Sequence, residues 1–258
     1  MILFIITMVF ITIAVLVVGI FLKSDQGSRE PPIALWAALG MGVVALVAAI
    51  FMEANLLPDK LNLKTIHELS LGTMAFSFIG VGLIEEAAKF FPLAAILWRK
   101  DYFNEHTDGI IYFTVCGFGF GVVENIGYTL VFDAKAGVAR IFLVPIFHAS
   151  ITAFLGYFLI KAKLNHRKFY SVLPYFVLFA LLHSLYDFGL VLGVIVLAIL
   201  SFIITVSLTV GLFLLFGKAK AKDQALGISS IGHNKYCRAC GRENTNRSVY
   251  CEYCGQRA

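Results

Sequence analysis

The chain has 258 residues, of which 59% are hydrophobic and only 14% charged. A soluble core of this size has no use for so much apolar surface, so the composition excludes a soluble globular protein and fits a polytopic membrane protein. The net charge of +5 does not call for nucleic acid, because the basic residues fall mostly in connections and in the tail, where cytoplasmic Lys and Arg account for them.

Apolar segments of spanning length occur at about 2–22, 33–52, 72–98, 109–132, 141–160, 172–190 and 194–216. At ~20 residues per span they give an all-α transmembrane bundle of about seven helices. The first segment has no basic residue before its apolar run and no small-residue cleavage site after it, so it reads as a retained helix rather than a signal peptide. Within 172–216 the clear breaks are Asp187, Gly189 and Gly193, and a tight hairpin near the two glycines is needed to divide the run. If the spans alternate, Lys23, Arg29, Arg99, Lys100, Lys161, Lys163, Arg167, Lys168 and the lysines after Phe216 share one side. Lys60, Lys64, Lys135 and Arg140 fall on the other. The positive-inside rule then puts the N-terminus outside and the C-terminal tail in the cytoplasm. The chain divides into a membrane domain, 1–217, a flexible polar linker, 218–234, and a small module, 235–258.

The third span carries Glu85, Glu86 and Lys89 inside an otherwise apolar run. Ionisable side chains at bilayer depth cost at least ~2.5 kcal/mol each and face a cavity or a bundle interior. Helical spacing puts Glu85 and Lys89 on one face, with Glu86 also in reach of the lysine. One lysine cannot neutralise two adjacent carboxylates. A carboxyl group that resists ionisation is suited to taking or giving a proton, whereas a plain structural ion pair is the modest alternative.

Glu124, His148, His183 and Asp187 are the other ionisable residues inside predicted spans. Counted from the outer face at ~1.5 Å per residue, Glu124, His148 and His183 sit about 10–12 Å deep and share one layer. Glu85 joins them if its helix enters the membrane near Met74 to Phe76. His183 and Asp187 are four apart, so the carboxylate can orient the ring. Asn125 offers an amide to a peptide carbonyl. Gly117, Gly119, Gly121 and Gly127 give their helix a small-residue surface for close packing. Carboxylates and histidines around a membrane cavity suit peptide hydrolysis, the glutamate taking a proton from water and a histidine donating to the oxyanion or leaving amine. The same residue types can hold a catalytic metal, although the sequence has no His-Glu-x-x-His motif. Cys116 has no histidine near it in sequence and reads as a small buried hydrophobe.

Four segments in order, Glu85-Glu86-Ala87-Ala88-Lys89, Phe120-Gly121-Val122-Val123-Glu124-Asn125, His148-Ala149-Ser150-Ile151-Thr152 and His183-Ser184-Leu185-Tyr186-Asp187, resemble the successive motifs of the PrsW family of intramembrane proteases. More distantly the pattern is similar to the type II CAAX prenyl protease and bacteriocin-processing superfamily. The resemblance implies cleavage of membrane-anchored proteins, with anti-sigma-factor-like regulators as characteristic targets, in a bacterial cell membrane. It implies Glu85 and Glu86 as the water-activating pair and His148 and His183 as essential polar groups; by their positions Lys89 as a counter-charge and Asn125 as an amide stand in support. In the wider superfamily the second motif ends in histidine, whereas this one ends in Glu124, which leaves that residue's role open. Although the family has been classed as metal-dependent, its distant relatives look like glutamate proteases, and the glutamate mechanism is the favoured expectation.

In the tail, Cys237, Cys240, Cys251 and Cys254 form two CxxC knuckles, each followed by glycine. That spacing suits a structural tetrahedral zinc, a zinc ribbon, in preference to two disulfides in a cytoplasmic segment. So short a module needs the metal to fold, and its expected task is contact with a protein partner. The rival reading of the whole chain is a proton- or ion-coupled transporter, since carboxylates and histidines in spans also build relays. No repeat between its halves is evident to support that rival.

Overall fold

The computed structural model describes residues 31–57, 70–131, 140, 143–192, 194–225, 251 and 253–256, with residues 12, 16 and 19. Among these are six α-helices and no strand: α1 (Pro32–Leu56), α2 (Leu71–Leu97), α3 (His106–Val131), α4 (Leu143–Leu164), α5 (Leu173–Val191) and α6 (Ile195–Ala225), with a 3-10 turn at Phe169–Val172 before α5. By length and composition α1, α3, α4, α5 and α6 are each able to cross a membrane. The remaining helix, α2, is the one that carries Glu85, Glu86 and Lys89. The first expected span, 2–22, lies almost wholly outside the described residues, so the structure presents fewer spans than the seven expected.

Helix starts follow ordinary chemistry. Ser70 caps α2, its Oγ accepting the Thr73 N–H at 3.2 Å. Pro32 and Pro174 open α1 and α5 where a missing N–H costs nothing.

Two antiparallel pairs form the centre. In the α3–α4 pair, a methyl group added at Gly109 would overlap the carbonyl of Gly156, and one at Gly117 would overlap that of His148. Gly121 likewise lies against Pro145. The numbers fall on α4 as they rise on α3, and backbones this close leave room only for glycine. The small-residue surface expected on α3 is therefore split: Gly119 turns instead to Leu39 of α1, and Gly127 meets nothing. In the α2–α5 pair, Gly82 touches Ala180 and Ser184, while Phe78 meets Phe188 with ring centroids 5.7 Å apart. Of the hairpin expected near Gly189 and Gly193, Gly193 lies outside the described residues, while Gly189 of α5 packs on Leu197 and Ser201 of α6, so the two helices are neighbours. Apolar side chains such as Val44, Val47, Phe51, Phe202 and Phe213 point away from the bundle on α1 and α6, as lipid-facing residues do.

The last helix extends past the apolar run. It runs unbroken through residues 218–225, which composition assigned to a linker. The reason is a tertiary contact. Buried Asp223 accepts the backbone N–H groups of His106 and Thr107 at 2.8 and 3.0 Å, with the Thr107 hydroxyl at 3.1 Å and His106 Nδ1 at 2.7 Å. It thus acts as an N-cap for α3 supplied by another helix. Asp223→Ala leaves those donors buried and unpaired and is expected to lower stability by about 1–2 kcal/mol, measured by denaturant unfolding in detergent.

In the tail, Cys237 and Cys240 lie outside the described residues. At the second knuckle the Tyr253 N–H donates to Cys251 Sγ at 3.4 Å, and the Gly255 N–H donates to the Cys251 carbonyl at 2.8 Å. Gly255 has φ +68°, a left-handed turn that glycine enters without strain.

Candidate active site

The two helix pairs face each other across a buried polar cluster. From α2 come Glu85, Glu86 and Lys89, from α3 Glu124, from α4 His148, and from α5 His183 and Asp187. Every catalytic candidate read from the sequence is therefore in one place. Asn125 is fully buried beside Glu124, its carbonyl accepting the Thr129 hydroxyl at 2.8 Å.

Lys89 is the hub. Its side chain has no exposure, and its Nζ lies 2.6 Å from Glu86 Oε1, 2.9 Å from His148 Nδ1 and 3.7 Å from Glu85 Oε2. The ammonium also sits 4.2 Å above the centre of the Phe120 ring, a favourable cation–π contact. An ammonium group can only donate, so His148 Nδ1 accepts from it and His148 Nε2 carries the proton donated to Glu124 Oε2 at 2.5 Å. Both oxygens of Glu124 are engaged, because Arg140 Nη2 donates to Oε1 at 2.9 Å.

His183 is held on both sides. Its Nδ1 is 2.8 Å from Glu86 Oε1, and its Nε2 is 3.2 Å from Asp187 Oδ2 and 3.5 Å from Glu85 Oε2. Phe147 packs edge-on to this ring and stacks on Tyr186 at 3.7 Å, fixing the floor between the histidines, whose centroids are 5.0 Å apart. Glu86 is wholly enclosed, whereas the Glu85 side chain retains 11% exposure. Glu85 Oε2 has no hydrogen-bond partner, only the longer contacts to Lys89 and His183. Of the two glutamate side chains, Glu85 is the one with any exposure, although its Oε2 is itself buried.

Glu124 lies seven residues before the end of α3, His148 five after the start of α4, and His183 eight before the end of α5. Glu85 lies fourteen after the start of α2, yet it reaches the same cluster. The late membrane entry required of its helix is thus no late helix start: α2 has about two extra turns on that side, with Leu71 and Phe76 exposed.

Two participants were missed from sequence. Arg140, read as one of the loop charges, is the clamp on Glu124, and its guanidinium lies 3.9 Å from the Tyr128 ring centre. Glu53, near the end of α1, has one buried carboxylate oxygen without a hydrogen bond. Neither carried a signal, because charges at span ends are ordinary. Cys116 is fully buried, its Sγ 3.9 Å from the Lys89 carbonyl, in keeping with a packing role.

Donor atoms of Glu85, His148 and His183 all lie within 4.8 Å of one another. In number and kind these fit a divalent metal held by three protein ligands with a further position for water. The family model described as "PrsW family intramembrane metalloprotease" matches residues 30–215, a stretch that contains the whole cluster and stops short of the cysteine module. Among curated proteins, the chain is 30% identical over 175 residues to protease PrsW of Bacillus subtilis (strain 168), covering 65% of this chain and 74% of that protein. It is 27% identical over 173 residues to protease PrsW of Geobacillus kaustophilus (strain HTA426), covering 65% and 71%. With protease PrsW of Clostridioides difficile (strain 630) it shares 29% identity over 178 residues, covering 66% and 72%. No solved structure matches the chain. These relatives do not favour the transporter reading, and the apolar helices are those of an integral membrane protein. The chain belongs to the PrsW family of intramembrane proteases.

Proposed function

We propose that this protease hydrolyses peptide bonds of membrane-anchored proteins, anti-sigma-factor-like regulators among them, with Glu85 as the group that takes the proton from water. The observation that carries the reading is the Glu85 carboxylate, free of hydrogen bonds at Oε2, lying 3.5 Å from a histidine held by two other carboxylates. A general base needs an oxygen not already committed to a hydrogen bond, and Glu85 Oε2 makes no such bond, on a side chain that keeps some exposure where that of Glu86 has none. His183, positioned by Glu86 and Asp187, donates to the oxyanion or to the leaving amine. Glu86 and Lys89 act as positioning residues: the pair aims His183 and His148 while remaining sealed from solvent.

The Lys89 contact to His148 Nδ1 favours this glutamate mechanism, because a fixed cation already occupies that ring's lone pair. The distant likeness to glutamate-type prenyl proteases supports it. A second reading rests on the family's description and on the 4.8 Å donor set. In that case Glu85, His148 and His183 would hold a divalent metal, whose Lewis acidity would supply activation of a bound water.

For the tail we infer a structural zinc held by Cys237, Cys240, Cys251 and Cys254, on the cytoplasmic side, where the ribbon would meet a protein partner. The amide donated to Cys251 Sγ and the left-handed Gly255 support it, since both favour a thiolate-bearing turn.

The test is reconstitution of the protein in vesicles with a panel of single-span membrane proteins, scored by the appearance of cleavage products. A chelator is then applied to a variant lacking 235–258 that cleaves as the whole chain does. Cleavage that persists is the expected result. Loss of cleavage, restored by added zinc, would establish the metal reading instead.

A further inference from the structure

A second polar pocket lies at the opposite end of α4. It is a cavity of about 70 Å³ lined by Phe158, Lys161, Asn165, Arg167, Ser171 and Tyr175, with no carboxylate in its wall. Such a volume is far below the ~300–1,000 Å³ of a small-molecule site, so it admits a single compact group such as a phosphate. Neither Lys161 nor Arg167 makes an ion pair among the described residues. Two cations lining one small pocket that has no carboxylate in its wall favour an anion there.

The backbone holds this arrangement in place. The end of α4 is closed by two bonds, from the Arg167 N–H to the Ala162 carbonyl at 2.8 Å and from the His166 N–H to the Lys163 carbonyl at 3.0 Å. That pattern is a Schellman turn with His166 at its left-handed position, φ 52°, where glycine is the ordinary choice. It brings Arg167 into the wall of the pocket that Lys161 also lines. Such an unfavoured conformation is retained where its surroundings use it.

The neighbouring surface identifies the anion's source. Tyr175 stacks on Phe158 at 3.7 Å to form the pocket wall. Next along α5, Leu178 and Leu181 are 52% and 44% exposed on a helix able to cross the membrane. A free phosphate has no use for that apolar strip, whereas a lipid acyl chain lies along it. Basic pockets between membrane helices at the bilayer surface commonly receive anionic headgroups. We propose that this pocket binds the headgroup phosphate of an anionic phospholipid, with Lys161, Arg167 and the Ser171 hydroxyl as its donors and its acyl chains against α5.

The experiment is native mass spectrometry of the whole protein in detergent, titrated separately with phosphatidylglycerol, phosphatidylcholine and inorganic phosphate. Wild type is expected to retain phosphatidylglycerol at least about tenfold better than the Lys161→Gln/Arg167→Gln variant. Lys161→Arg should bind as wild type does, and a matching thermal unfolding profile for the double variant shows that it is folded. Equal retention of phosphatidylglycerol by wild type and the double variant would overturn the proposal. So would equal retention of phosphatidylcholine, or inorganic phosphate held as firmly as the lipid.

Discussion

Glu85→Gln is expected to reduce cleavage of a reconstituted membrane-anchored substrate by about 10²–10⁴-fold, the usual contribution of a positioned general base. The amide is nearly the same size and the bundle loses no packing, so the variant should be folded with unchanged substrate binding. Glu86→Gln provides the contrast. Glu86 Oε1 is shared by Lys89 and His183, so its neutralisation disturbs both. Its loss of activity should therefore come with loss of stability, whereas that of Glu85→Gln should not. A Glu85→Gln protein that cleaves at the wild-type rate would remove Glu85 from the reaction.

Lys89→Met is expected to be the most destabilising single change in the membrane domain, by about 3–5 kcal/mol, because it leaves Glu86 charged and enclosed without its partner. It also releases His148 from its fixed tautomer. The check is unfolding in mixed detergent micelles. The double variant Glu86→Gln/Lys89→Met should recover a large part of the loss, since removing both members of a buried pair costs far less than removing one. A single variant as stable as wild type would mean that Lys89 finds another partner or water.

The cluster was legible in the sequence because charges stand out against apolar runs: nothing but function or a paired interior keeps Glu85, Glu86 and Lys89 in a helix like α2. The spacing of His183 and Asp187 similarly announced their contact, now 3.2 Å. Arg140 and Glu53 stayed hidden for the opposite reason, lying at the ends of spans where a charge needs no explanation. Helix boundaries were legible only as far as hydropathy follows secondary structure. At α6 the two part company: the apolar run stops near Phe216, but the helix continues to Ala225 because Asp223 has a partner 116 to 117 residues away. The tight fit of Gly109 against Gly156 was beyond reach as well, since no single helix reveals which glycine its neighbour will press against.

Arg140, Glu124, His148, Lys89, Glu86, His183 and Asp187 are joined end to end, each contact 3.2 Å or shorter. Arg140 and Lys89 have no capacity to accept, and that directs the bonds on either side of them. The sequence of donors and acceptors is consequently a sentence with one grammar: altering a word in the middle makes the words beside it wrong. Altering such a string therefore takes compensated pairs of substitutions rather than single steps.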